Sequence, residues 1–157
     1  MASTGPILLA EDDDNDVFLL RRAFDKAGLA DRLIVVRDGQ EAIWYLNGQG
    51  AYADRNAHPW PEVLLLDLKM PRMDGFDVLK WLQRRRRSLQ PLLVVVHTSS
   101  KLDTDLQRAF ELGADAYWLK PLHFADLVRS VRALGERLRE PPKRPAYTSA
   151  RWVEERL

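Results

Sequence analysis

The chain has no cysteine in its 157 residues. That excludes disulfides, thiolate catalysis and cysteine-ligated zinc or iron–sulfur sites. It also lacks an excess of either charge: the net value of +1 gives no global pull toward nucleic acid or an acidic membrane. No apolar run approaches a membrane span, and Ile7–Ala10 is too short for the core of a secretory signal. A cytoplasmic protein with no membrane contact is the expectation. Internal repeats and low-complexity blocks are missing as well. What is present, 46% hydrophobic and 30% charged residues, suits a soluble globular protein with room for one ordinary domain and a short extension.

Short apolar runs alternate with segments of helical period. Ile7–Ala10, Leu33–Val36, Val63–Leu66, 92–97 and Ala116–Leu119 read as strands. The runs carry no polar gap, which fits strands buried on both faces of a parallel sheet. Helices are expected over 15–28, 38–46, 76–87, 100–112 and 124–138. Asp38 and Glu41 have the spacing of a capping box, and Gly113 is a good C-terminal glycine. Strands that each lead into a helix imply an α/β fold, a doubly wound five-stranded parallel sheet with helices on both faces. The segment 47–62, with two glycines, two prolines, His58 and Trp60, reads as a surface insertion. The divisions expected are a tail over 1–5, one domain over 6–139 and a linker or arm over 140–157. Residues 140–145, Glu-Pro-Pro-Lys-Arg-Pro, cannot continue a helix. Residues 150–157 could form one more short helix.

Asp67 closes the third apolar run and is followed by Leu68-Lys69-Met70-Pro71 and then Asp74-Gly75. Open α/β sheets place their chemistry at the rim of strand C-termini. To that rim the first strand delivers Glu11, Asp12, Asp13 and Asp14, the fourth Thr98, Ser99 and Ser100, and the fifth Lys120 before Pro121. Each piece has a plainer reading: an Asp that caps a turn, an acidic helix N-terminus, a surface lysine. Together they form a constellation. Carboxylates crowded at one rim coexist when a cation is shared: a divalent metal, the Lys120 ammonium or both. Oxygen-only ligands favour Mg2+, Mn2+ or Ca2+ over zinc. A hydroxyl and an ammonium opposite such a metal suit a phosphoryl group, with Asp67 as carboxylate nucleophile.

The chain resembles the receiver domain of two-component response regulators, from about Ile7 to Arg139. The matching residues are Glu11-Asp12, Leu66-Asp67-Leu68-Lys69-Met70-Pro71 with Asp74-Gly75, Thr98-Ser99 and Lys120-Pro121. The resemblance implies the flavodoxin-like strand order 2-1-3-4-5. It implies that Asp67 accepts a phosphoryl group from the phosphohistidine of a histidine kinase. Mg2+ would be held by Asp12, Asp67 and the backbone carbonyl of Lys69, with Glu11 acting through a water. Thr98 would bond the phosphoryl oxygen, Lys120 would pair with it, and Tyr117 would be the aromatic switch that turns from exposed to buried. The Lys120–Pro121 bond is expected cis. More narrowly, the chain is similar to single-domain regulators paired with bacterial phytochromes. This similarity rests on the long segment before the third strand, the stretch Val-Val-Val-His-Thr-Ser-Ser and a C-terminal arm. It implies a phytochrome-type kinase upstream, a homodimer, and output by contact with another protein and not by catalysis. About twenty residues follow the last helix, too few for an effector domain.

Three features depart from that pattern or stand outside it. Lys69 lies two residues beyond Asp67, where the subgroup often has Asn. His97 replaces an aliphatic residue before Thr98 and reads as a core or rim histidine. Residues 84–87 are four arginines at a helix C-terminus, a solvated end or a kinase-docking patch with no nucleic-acid recognition element beside it. His58 and His123 are expected at the surface, Trp44, Tyr45 and Trp81 in packing. Two other functions use similar residues. A phosphorelay intermediate would use the same site. A haloacid dehalogenase-type phosphatase would need an acid two residues after Asp67, where Lys69 stands.

Overall fold

The computed structural model describes residues 5–139 and the backbone of 152–154. Five strands, β1 (Ile7–Ala10), β2 (Leu33–Val36), β3 (Val63–Leu66), β4 (Leu93–Thr98) and β5 (Ala116–Leu119), alternate with five helices. These are α1 (Asp14–Lys26), α2 (Gly39–Leu46), α3 (Gly75–Arg85), α4 (Asp103–Glu111) and α5 (Phe124–Arg139). All strand pairs are parallel, and the five run in the order 2-1-3-4-5. The five strands and five helices expected within 6–139 are present, with their ends moved by no more than three residues.

The alternation along each strand divides the core in two. Leu8, Leu64, Leu66, Val94 and Val96 face α2, α3 and α4. Ile7, Leu9, Val63, Leu65 and Val95 face α1 and α5. All ten side chains are buried, which is why the strands carry no polar gap.

Capping fixes where the helices begin, and so where the rim loops lie. Asp13, Asp38 and Asp74 accept bonds from the N–H groups of Asp16, Glu41 and Asp77 at 2.9, 2.8 and 2.9 Å. At α3 the box closes, because Asp77 also accepts from the Asp74 N–H. Glu41 instead accepts from the Arg37 N–H and from the Tyr52 hydroxyl. Gly75 is required by close approach: a Cβ there would lie 2.3 Å from the Asp67 carbonyl oxygen. The chain thus turns tightly from the end of β3 into α3.

The segment 47–62 is a surface insertion as expected, tied down where Arg55 donates to the carbonyls of Tyr45, Leu46 and His58 at the end of α2. Several expectations are corrected. His58 is half-buried, edge-on to Tyr52 at 5.1 Å, because the insertion folds back over α2. Tyr45 is fully buried and Trp81 half-buried, but Trp44 is exposed, since it lies on the outer side of α2. His123 is exposed as expected. Among 84–87, Arg85 lies over the Trp81 ring at 4.6 Å and Arg86 reaches the Gly113 carbonyl. Residues 1–4, the linker at 140–145 and the ends of the expected last helix lie outside the described residues. Within that helix, Trp152–Glu154 is a strand, β6, parallel to β5. The free edge of β5 offers unpaired N–H and C=O groups, and Trp and Val favour strands. No described helix is long and apolar enough to cross a membrane.

Candidate functional site at the sheet rim

Three backbone bonds bring the strand ends into line. The Glu11 N–H donates to Val36, the Asp67 N–H to Ala10 and the Lys120 N–H to Thr98, at 3.0, 3.1 and 2.7 Å. Glu11 and Asp67 are buried and Asp12 exposed, yet one carboxylate oxygen from each lies within 4.8 Å of the others. Lys120 reaches in from β5. Its Nζ donates to Glu11 Oε1 and Asp16 Oδ2 at 2.7 Å each and to Asp67 Oδ2 at 3.0 Å. All three donors of the ammonium are used. The Lys120–Pro121 bond is trans, since no cis peptide occurs among the described residues. The lysine enters the site from that geometry.

Electrostatics follow from this crowding. Burial pushes the Glu11 carboxyl up to about 10, as do hydrogen bonds to Asp67 and Asp16, while the bond from Lys120 opposes the rise. Burial would also raise Asp16, but its bonds from Glu11 and Lys120 hold it below the usual carboxylate range. Burial would lower Lys120; the Asp16 and Glu11 carboxylates overcome it and hold the ammonium above its ordinary value. The lysine lies at the centre of the acidic group, bonded to three of its members.

The residues present fit a divalent cation. Glu11 Oε2 is buried without a hydrogen-bond partner, and such an oxygen calls for a proton, a water or an ion. Three convergent carboxylates with no nitrogen or sulfur ligand suit a hard cation such as Mg2+. Beside the trio opens a cleft of about 620 Å3, lined among others by Asp12, Lys69, Pro71, Phe76, Asp105 and Arg108. The Lys69 side chain is exposed at its lip, and its N–H points to Asp67 Oδ1 at 3.4 Å.

Thr98 is buried at the end of β4, and its Oγ1 accepts from the Ser100 N–H at 3.3 Å. The Ser100 hydroxyl donates to Asp105 on α4 at 2.6 Å, and its carbonyl accepts from the Tyr117 hydroxyl at 3.0 Å. Tyr117 is already buried, which corrects the expectation of an exposed starting position. The ring fills space beside Phe110, and its hydroxyl has found a carbonyl under the β4–α4 turn. His97 is buried on the other face of β4.

Sequence reasoning brings Glu11, Asp12, Asp67, Lys69, Thr98, Lys120 and Tyr117 to this rim, and the structure gathers them there. It does not single out Asp16. The available signal was its place three residues after the capping Asp13, which directs it back toward the rim.

Comparison with known proteins agrees with this geometry. A family model described as the response regulator receiver domain matches residues 7–132. The probable methanogenesis regulatory protein FilR2 of Methanothrix harundinacea is 38% identical over 130 residues, covering 83% of this chain and 81% of its own. The solved structure of the phosphorylated cyanobacterial phytochrome response regulator RcpA is similar with a TM-score of 0.77 and 29% identity, over 87% of this chain and 94% of that one. The Mn(2+)-bound form of response regulator Rcp1, a Synechocystis protein, has a TM-score of 0.75 and 32% identity, over 90% and 99%.

Proposed function

This chain belongs to the response regulator receiver family, and we propose that it is a phosphorylation-controlled signalling module whose acceptor is Asp67. The supporting observation is the Lys120 ammonium held between Glu11, Asp16 and Asp67 beside an open cleft. An Asp67 carboxylate oxygen attacks the phosphorus of a kinase phosphohistidine; the P–N bond breaks and the imidazole leaves with its electron pair. Glu11, Asp12, Asp67 and the Lys69 carbonyl would hold Mg2+, which supplies positive charge to the phosphoryl oxygens. The Lys120 N–H that bonds Asp67 Oδ2 would pass to a phosphoryl oxygen. In a mixture of kinase, Mg2+ and labelled ATP the parent chain is expected to take up label and Asp67→Asn none; label on the variant would remove Asp67 as acceptor.

Phosphorylation puts about −1.5 to −2 charges where one stood. That charge draws the Thr98 hydroxyl from the Ser100 N–H and alters the turn that also holds Tyr117 and Asp105. The signal then leaves through α4, β5 and α5 to a downstream protein. Exposed Phe18 and Leu19 on α1 and Leu122 after β5 flank the rim and offer the kinase an apolar seat. The likeness to RcpA supports a phytochrome-type kinase upstream, in the cytoplasm. A relay intermediate remains the second reading, since the same exposed rim admits a second histidine protein.

Lys69 adds a cation at the lip of the site. Lys69→Asn is expected to shorten the lifetime of phosphorylated Asp67 about threefold, the worth of an exposed pair below 1 kcal/mol. The decay rate of the purified phosphoprotein measures it, and a rate no faster than the parent's removes the effect.

The division at 6–139 and 140–157 belongs to the same proposal, as does a homodimer. Helices α1 and α5 share one face, and α2, α3 and α4 the other. Strands β4, β5 and β6 follow one another across the sheet. The crossover from β5 through α5 to β6 therefore has the opposite hand to that from β4 through α4 to β5. Nearly all such crossovers are right-handed. A strand supplied to the β5 edge by a second copy avoids the disfavoured hand. Truncation after Arg139 is expected to convert a dimer to a monomer in sedimentation; an unchanged sedimentation coefficient rules out the exchanged arm.

A further inference from the structure

We propose that Asp16 is the positioning residue for Lys120, the anchor that holds the ammonium in place once Asp67 carries phosphate and the metal site is filled. This rests on the assignment of Asp67 as acceptor.

Lys120 has three donors and three carboxylate partners. Two of those partners have other work. Asp67 becomes the phosphorylated group, and Glu11, with a free Oε2, belongs to the set of three acids that converge for a cation. Asp16 stands outside that set, and its contact with Nζ is as short as that of Glu11. It also comes from a different direction, the first turn of α1. In a closed capping box its carboxylate would bond back to the N–H of the capping residue, as Asp77 does at α3. Here Asp13 accepts from the Asp16 N–H, while the Asp16 carboxylate takes the lysine. Its backbone is fixed by the cap, so the acid is a rigid post. With that post in place the third N–H of Lys120 keeps its aim at Asp67. Without it, a long flexible side chain has one shared anchor, and misplacement of a reacting or stabilising group costs rate steeply. A competing effect has the opposite sign: removing an anion lessens repulsion of an incoming phosphodonor. The aim of the ammonium outweighs it, because Lys120 already neutralises Asp16 at contact distance.

The test uses the full chain with acetyl phosphate as donor and Mg2+, followed by intact mass. Asp16→Asn removes the charge and keeps the shape, Asp16→Ala removes both, and Asp16→Glu returns the charge. The Asn and Ala variants are expected to lose about tenfold in maximal phosphorylation rate. Their donor half-saturation and Mg2+ affinity should stay within about twofold of the parent, and Asp16→Glu should recover most of the rate. Rates at or above the parent's in the Asn and Ala variants would overturn the proposal. So would Mg2+ affinity falling in step with rate, which would make Asp16 a metal ligand. A lowered melting temperature with an unchanged rate would make it merely structural. A parent chain that takes up no phosphate under these conditions would overturn the acceptor assignment itself, a result visible before any variant is compared.

Discussion

Replacing Lys120 by Met is expected to cost the metal-free protein about 3 kcal/mol at neutral pH, at the low end for breaking a buried ion pair from one side. The lysine side chain is only 16% exposed and serves Glu11 and Asp67, which are nearly closed to water, and the half-buried Asp16. Met keeps the length and apolar stem, so packing is not the loss. What remains is a group of carboxylates without a cation. Glu11 strands no charge, because its carboxyl, pushed up to about 10 by burial and by Asp67 and Asp16, already carries a proton at neutral pH. That relief is why the expected cost is about 3 kcal/mol and not more. For a chain of this size each kcal/mol lowers the melting temperature by about 2–4 °C. A second arm separates charge from packing. Millimolar Mg2+ should raise the melting temperature of Lys120→Met more than that of the parent, because the ion replaces the lost positive charge. Equal stabilisation of the two proteins, or a variant as stable as the parent without metal, would mean that the ammonium does not hold the rim together. Phosphorylation of Asp67 should fall in the same variant even with Mg2+ saturating, since no N–H is left for the phosphoryl oxygen.

The sheet was legible in the sequence because its strands are buried on both faces. Runs such as Val63–Leu66 have one reading once a helix follows each of them. The rim residues were legible because parallel strands deliver all their C-terminal residues to the same side, so Glu11, Asp67, Thr98 and Lys120 could be placed by counting strand ends. Residues whose role depends on side-chain reach were not. Asp16 needed the cap at Asp13 to be known before its direction could be. Tyr117 could be assigned to the switch, but not to a side of it, because the Ser100 carbonyl that holds it comes from a turn without regular period. The segment 47–62 reads as a surface insertion by composition, but the three carbonyls gathered by Arg55, which tie it to the end of α2, leave no pattern in the sequence. The strand at Trp152–Glu154 has too few residues to carry a periodic signal, and its pairing depends on the edge of β5.

His97 shows how a core position beside such a site adds a pH response. The residues before it in the strand, Val94, Val95 and Val96, are aliphatic, and His97 is buried as they are. Burial, and then the nearby Lys120 ammonium, push its pKa down from 6.5 to about 4, against the pull of Asp67 and Asp16. In the unfolded chain the same imidazole titrates at its ordinary value. Between about pH 6.5 and 4 the unfolded state therefore binds the extra proton and the native state does not, so stability falls as pH falls through that window. From 6.5 to about 4 the loss amounts to about 3 kcal/mol. His97→Val continues the run of valines and removes the titrating group. Denaturant unfolding at pH 7 and pH 4.5 should show the parent losing about 2–3 kcal/mol more than the variant between the two. Comparing each protein with itself across pH cancels the contributions of Glu11 and Asp16, which both chains keep. Parallel losses in the two proteins would mean that His97 already carries its proton in the native state, and would place the imidazole in contact with the rim carboxylates.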